Sequence, residues 1–175
     1  MAKPITQDDA PMTDSHAQLL ELRDRFMGDP RYANDEKYAR LIESAQYFEP
    51  SELSEIVNGL FITSRDGVDA ARVAGHFIIN VTQKGELDTY YDAQIAIYPD
   101  ERTNIIRLKT LAMLIRELRA ANRPVTVHCS MGIERSALTV AYYLLTEMDM
   151  SLDQAYATIV EHRPIAFDRR DWAGL

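Results

Sequence analysis

Val125-Thr126-Val127-His128-Cys129-Ser130-Met131-Gly132-Ile133-Glu134-Arg135-Ser136 is the stretch on which the fold turns. An apolar, β-rich run leads into it, and an apolar helical pattern from Ser136 to Glu147 leads out. A strand, a tight loop and a helix N-terminus in that order form an anion cradle. The loop N–H groups converge, and the helix dipole adds positive potential at the same place. Cys129 is the only cysteine of the chain, and it stands at the floor of this cradle. Arg135 follows in the first helical turn. A sulfur nucleophile facing a bound oxyanion suggests phosphate chemistry.

Outward from this loop, strand-like and helical segments alternate. Leu60–Thr63, Phe77–Val81, Ala93–Tyr98 and Val125–His128 read as strands. Val68–Ala74 reads as a short helix. A long one runs from an N-cap at Thr103 to Ala121, with Ile106, Leu111, Leu114, Ile115 and Leu118 facing inward. Helices follow at 134–147 and at 152–162, the latter capped by Ser151 and stopped at Arg163-Pro164, and 167–172 closes with a short helix. The pattern predicts an α/β fold, with a largely parallel sheet of four to five strands flanked by helices. Ligands in such folds sit beyond the carboxyl ends of strands, where both the Cys129 loop and the loop after Tyr98 fall.

Before this lies a different kind of segment. Residues 1–14 carry Pro4 and Pro11 and read as a mobile tail. Helices are expected from Ser15 or His16 to Phe26 and from Asn34 to Gln46. Residues 1–48 are therefore read as an N-terminal tail and helical extension, and 49–175 as the catalytic domain. The extension either packs on the domain or serves substrate recognition or dimerisation.

Composition narrows the function. The chain has 175 residues, 46% hydrophobic and 26% charged, as expected of a soluble globular domain. Its net charge of −8 argues against nucleic-acid partners, which a polyanion would repel. The longest largely apolar run, Ala137 to Leu145, is too short to span a bilayer, so no stable membrane association is expected. One cysteine allows no internal disulfide, which fits a reducing, cytoplasmic setting. The four histidines show no metal-site spacing, and neither metal nor cofactor is expected.

Each cradle residue has a chemical use. Helix N-termini, converging N–H groups and nearby cations favour a thiolate over a thiol. Gly132 permits a backbone that wraps an oxyanion closely. The planar fork of Arg135 can grip two phosphate oxygens, which a lysine could not match. Ser136 can donate a hydrogen bond to the sulfur as it leaves. His128 is given a supporting role below the loop. The N–H groups from Ser130 to Arg135, through Met131, Gly132, Ile133 and Glu134, form the substrate-binding rim.

His128-Cys129-Ser130-Met131-Gly132-Ile133-Glu134-Arg135-Ser136 resembles the His-Cys-x5-Arg-Ser/Thr signature of the cysteine-based protein tyrosine phosphatases, and the dual-specificity subgroup fits best. Asn58–Ser64, Ile78–Thr82 and Met150–Pro164 also look like that subgroup. The resemblance implies a general-acid aspartate on a loop preceding the cysteine. Tyr98-Pro99-Asp100 occupies that place, at the end of a strand and before a helix. Glu101 is the alternative acid, and Asp88 and Asp92 are weaker candidates. An aspartate of ordinary acidity is ionised at neutral pH, so such an acid works best at mildly acidic pH. The implied reaction attacks phosphorus with Cys129 while Asp100 protonates the departing oxygen. A phosphocysteine forms, and water then hydrolyses it.

The implied substrates are phosphotyrosine and phosphoserine or phosphothreonine in proteins. Alternatives are a non-protein phosphate such as a phosphoinositide, or a phosphoprotein-binding module with little turnover. Glu134 departs from the family pattern, which more often has a small or neutral residue there. It is expected to point outward, towards Arg163, Arg169 or Arg170, or towards a basic part of the substrate. Oligomeric state is left open.

Overall fold

The computed structural model describes residues 12–32 and 35–175. Most of the expected tail and the Asn34 start of the second helix lie outside the described residues. A five-stranded sheet forms the centre, with strand order β1-β2-β5-β3-β4. β2 (Leu60–Thr63), β5 (Val125–His128) and β3 (Phe77–Asn80) run parallel in register, so that Thr63, His128 and Asn80 lie abreast. β4 (Ala93–Gln94) extends the parallel set, and β1 (Ser54–Val57) pairs antiparallel with β2. The cysteine loop therefore leaves the central strand at its carboxyl end, between two neighbours.

Alternation along the strands divides the core. Leu60 and Ile62, Ile79, and Val125 and Val127 turn to one face, into the main core with α4 (Asn104–Ala120), α5 (Arg135–Glu147) and α6 (Leu152–His162). Ile78 turns to the other face and joins Val68 and Ala71 of α3 (Val68–Val73). α5 is buried along most of its surface, from Ser136 to Leu144. Its almost unbroken apolar run is what a helix caught between α4 and α6 requires. α6 starts in a full capping box between Ser151 and Gln154.

Several expectations need correction. β1 is a strand that the sequence reading omitted, although Asn58-Gly59 marks its hairpin to β2 and Gly59 takes a φ of 78°. The strand expected over Ala93–Tyr98 has regular pairing only at Ala93–Gln94. Its continuation still follows β3, with Ile95 and Ile97 N–H groups donating to Asn80 and Val81 carbonyls. Ile106 is 65% exposed instead of inward-facing. The buried face of α4 is set by Leu108, Leu111, Ala112 and Ile115, and residues two apart on a helix point to opposite sides. Thr103 precedes α4 but makes no side-chain cap: its backbone is already helical, with φ of −67° and ψ of −9°, and its hydroxyl oxygen accepts from Arg107 instead. The closing helix is only a 3-10 turn over Arg170–Ala173.

At the other end, α1 (Asp14–Met27) is capped by Thr13, and α2 (Glu36–Ser44) by Asp35. Leu19, Leu41, Ala45 and Phe48 form a second apolar cluster, which they share with Ile133, Ile165 and Phe167. Among the described residues no helix is long and apolar enough to cross a membrane.

Candidate active site

Cys129 lies immediately beyond β5, only 3% exposed. Its Sγ is 3.3 Å from the Ser136 hydroxyl, which is fully buried in the first turn of α5. The intervening loop is held by its carbonyl oxygens. Ser130 O accepts from the Arg65 N–H at 3.0 Å, and Ile133 O from the Phe167 N–H at 2.8 Å. Met131 O and Gly132 O accept from Arg163, at 3.0 and 2.6 Å. With four successive carbonyls turned to outside donors, the N–H groups are left over. Among the described residues, none of the backbone N–H groups from Ser130 to Glu134 meets a protein acceptor. Unpaired N–H groups in this partly buried loop are left to water or to a bound acceptor. Five such groups, followed by the N-terminus of a thirteen-residue helix, suit an oxyanion.

Gly132 is required here by space as well as by conformation. Its φ is 68°, and an added Cβ would come within 2.5 Å of Arg163 Nη2 and 2.6 Å of the Thr63 carbonyl.

Arg163 is the functional residue that sequence reasoning undervalued, treating it as a helix stop and a possible partner of Glu134. It is fully buried. Besides the two loop carbonyls, it donates to Pro50 O at 2.8 Å, Ser54 Oγ at 3.0 Å, Glu52 O at 3.3 Å and Ile62 O at 3.4 Å. Burial pushes its pKa down to about 10, against the opposing pull of Cys129, so it stays charged at neutral pH. A buried cation satisfied by carbonyl oxygens adds positive potential under the cradle. The only sequence signal was its position at the end of α6, where an arginine usually faces water.

Arg135 pairs through both terminal nitrogens with Glu86, Nη1 to Oε2 at 2.8 Å and Nη2 to Oε1 at 2.6 Å. Among the described residues no acceptor meets its Nε–H. The end of the guanidinium is thus fixed while its side edge is left for two oxygens of a ligand. Arg135 holds the Glu86 carboxyl below its usual range, chiefly through these hydrogen bonds. Glu86 sits in a turn where its N–H donates to Gln83 O, and nothing in its sequence context marks it as a partner of Arg135. It also lines a cleft of about 710 Å³ between the start of α1, the Arg65–Asp69 segment and Leu87–Tyr90. A larger groove, about 900 Å³, lies between α2, α6 and residues 168–171, and holds none of the cradle residues.

His128 is fully buried, with Nδ1 3.4 Å from the Cys129 carbonyl and no partner for Nε2 among the described residues. Burial depresses its pKa to about 4, so it is neutral at physiological pH. Glu134 turns outward to Arg169, whose Nε is 2.8 Å from Oε1, and the Arg169 guanidinium lies over the Phe167 and Trp172 rings. The acid in the motif is thereby neutralised by the C-terminal segment. Arg163 and Arg170 are not its partners.

Among the described residues, Asp100 has no hydrogen bond or ion pair to the cradle. It is exposed on the turn after Tyr98, at a φ of 52°. The base of that turn is clamped by buried Asn104, which donates to Tyr98 O and accepts from the Tyr98 N–H. Glu101 is engaged by Thr103 and Arg107, and its carboxyl is lowered, chiefly by the Thr103 hydrogen bond. Asp92 accepts from the Ile78 N–H and from Tyr90, which ties it to the sheet edge. Asp88 lies in the 710 Å³ cleft.

Comparison with known proteins meets this geometry at the same residues. The family model for the dual specificity phosphatase catalytic domain matches residues 71–172. The chain is 33% identical over 95 residues to human protein phosphatase Slingshot homolog 3, covering 51% of this chain and 14% of that protein. It is 48% identical over 50 residues to human dual specificity protein phosphatase 16, covering 29% of this chain and 8% of that one. These matches thus span only a small part of the curated relatives. Among solved structures, a mouse putative dual specificity phosphatase complexed with zinc tungstate superposes with a TM-score of 0.59. Its identity is 20%, over 72% of this chain and 84% of that one.

Proposed function

The chain belongs to the dual specificity phosphatase catalytic-domain family, and we propose that it hydrolyses phosphomonoesters through a phosphocysteine, with phosphotyrosine and phosphoserine or phosphothreonine of proteins as substrates. The observation that carries this reading is the run of unpartnered N–H groups from Ser130 to Glu134 around a buried cysteine.

In the proposed reaction, three phosphate oxygens are held by these N–H groups and by the Nε edge of Arg135. The Cys129 thiolate forms the S–P bond as the P–O bond to the leaving group breaks, and Asp100 delivers its proton to the departing oxygen. Water then forms a new P–O bond and gives its proton to Asp100. The S–P bond breaks, and the Ser136 hydroxyl stabilises the departing sulfur. Neutral His128 supports the loop from below. Asp100 is preferred to Glu101 as the acid because Glu101 is held as a carboxylate by Thr103 and Arg107. The exposed turn that carries Asp100 closes towards the cradle when substrate is bound. The proposed division at residue 48 places this machinery in 49–175.

Hydrolysis of a small aryl phosphate, measured with a chelator present, tests the reading. Cys129→Ser should abolish turnover, and Asp100→Asn should remove the limb of the pH–rate profile that reports the acid. Full turnover by Cys129→Ser would refute the mechanism, and an unchanged profile in Asp100→Asn would remove Asp100 from it.

A further inference from the structure

The two N-terminal helices do more than cover the domain. Ile133, a residue of the cradle, is 3% exposed and belongs to one apolar cluster with Leu19 of α1, Leu41 of α2, Ala45, Phe48, Ile165 and Phe167. Met131 sits at the rim of the same cluster, with Leu22, Phe26 and Tyr38. Two of the four side chains between Cys129 and Arg135 therefore belong to the cluster of the N-terminal pair, outside the main core.

Polar contacts reach the loop at both of its ends. At one end, the Ser15 N–H and hydroxyl donate to Asp66 Oδ2 at 2.7 and 2.6 Å, and Ser15 Oγ lies 2.9 Å from Ser64 Oγ. Between Ser64 and Asp66, the Arg65 N–H donates to Ser130 O. At the other end, Arg40 of α2 donates to Pro164 O at 3.1 Å and Ala166 O at 2.9 Å, and the next N–H, Phe167, donates to Ile133 O.

We propose that the α1–α2 pair is a positioning element for the oxyanion cradle, setting the orientation of the 130–133 peptide units through Ile133 and through the Ser64–Asp66 and Pro164–Phe167 segments. The proposal rests on the phosphatase reading above. Its physical basis is that a short loop with one glycine has few internal restraints. Its peptide planes are set by whatever holds its carbonyls and side chains. The N-terminal pair shares one apolar cluster with the Ile133 side chain and reaches two carbonyls at one remove.

The test uses the full chain. Leu41→Ala empties part of the cluster around Ile133, and Arg40→Gln breaks the polar route without opening a cavity in the core. Ile115→Ala, in α4 and fully buried in the main core, is the control for a cavity of similar kind. Each variant is checked for folding by circular dichroism and urea unfolding. Then kcat, KM and competitive inhibition by orthovanadate are measured at a temperature where all are folded. Leu41→Ala and Arg40→Gln should weaken orthovanadate inhibition about tenfold or more, because small misplacements of binding groups are costly. Leu41→Met should restore most of it. Ile115→Ala should leave inhibition within about twofold, since Ile115 lies outside the cluster that holds Ile133 and Met131. Arg40→Gln with unchanged inhibition would overturn the proposal. So would a loss in Leu41→Ala no larger than that in Ile115→Ala at equal stability. If the parent chain itself neither turns over substrate nor binds orthovanadate, the phosphatase reading fails, and the positioning role fails with it.

Discussion

Replacing Arg163 by methionine should separate what this buried cation does for stability from what it does for the cradle. The side chain has no exposure and makes its hydrogen bonds to neutral oxygens. Two consequences oppose each other when it is removed. The Gly132 and Met131 carbonyls lose their donors, whereas Pro50 O keeps a bond from the Ser64 N–H. Two orphaned carbonyls cost about 1–3 kcal/mol each. Against this, burial lowers the pKa of the guanidinium to about 10, so sheltering the charge itself costs on the order of 3 kcal/mol. The opposing amounts are similar, and replacing a buried charge by an apolar side chain of like size is often nearly neutral for folding. The expected change in unfolding free energy is therefore within about 3 kcal/mol. Activity has no such compensation. With Met131 O and Gly132 O released, the N–H groups lose their fixed direction, and kcat/KM should fall about a hundredfold. Arg163→Lys keeps the charge but has no planar fork, and should fall between parent and methionine variant. Urea unfolding and aryl phosphate hydrolysis on the same preparations give both numbers. A folded Arg163→Met protein with kcat/KM near that of the parent would refute the reasoning.

Two other residues give simpler expectations. His128 is held neutral by burial, with its pKa at about 4 against an ordinary 6.5. Below pH 6.5 the unfolded chain takes up a proton that the folded chain refuses, so stability is full above 6.5 and drains away towards pH 4. The loss from this group is about 3 kcal/mol. Urea midpoints at pH 7 and 4.5 should show it, and His128→Gln should flatten the slope; an equal slope in both proteins would count against it. Glu86→Ala frees the end of Arg135. The pair is partly exposed, so the expected cost is about 1 kcal/mol, read as a roughly fivefold rise in KM for an aryl phosphate. An unchanged KM would show that Arg135 needs no partner to find its place.

The strand–loop–helix unit from Val125 to Glu147 was legible in the chain because its signals are local. A β-rich run, a glycine at a tight turn and an apolar helical stretch each follow from near neighbours, and β2, β5 and α6 have the bounds that periodicity and capping predict. Cys129, Ser136 and the start of α5 come together for the same reason, since seven residues separate the sulfur from the hydroxyl and one turn closes the gap. β1 was legible too, from Asn58-Gly59, and went unread. What the sequence could not decide were contacts between segments far apart in the chain. Glu86 is an ordinary turn residue until the β3–β4 loop folds over Arg135. Glu134 is an anomaly until the C-terminal segment brings Arg169 to it. Arg163 looks like a helix end until Pro50, Ser54, Ile62, Met131 and Gly132 surround it. Local periodicity says which face of an element is apolar. It does not say which distant carbonyl or carboxylate will stand opposite a charge, because that depends on how the elements close around one another. The nucleophile loop is a property of a dozen consecutive residues. The direction in which its N–H groups point is a property of the whole fold.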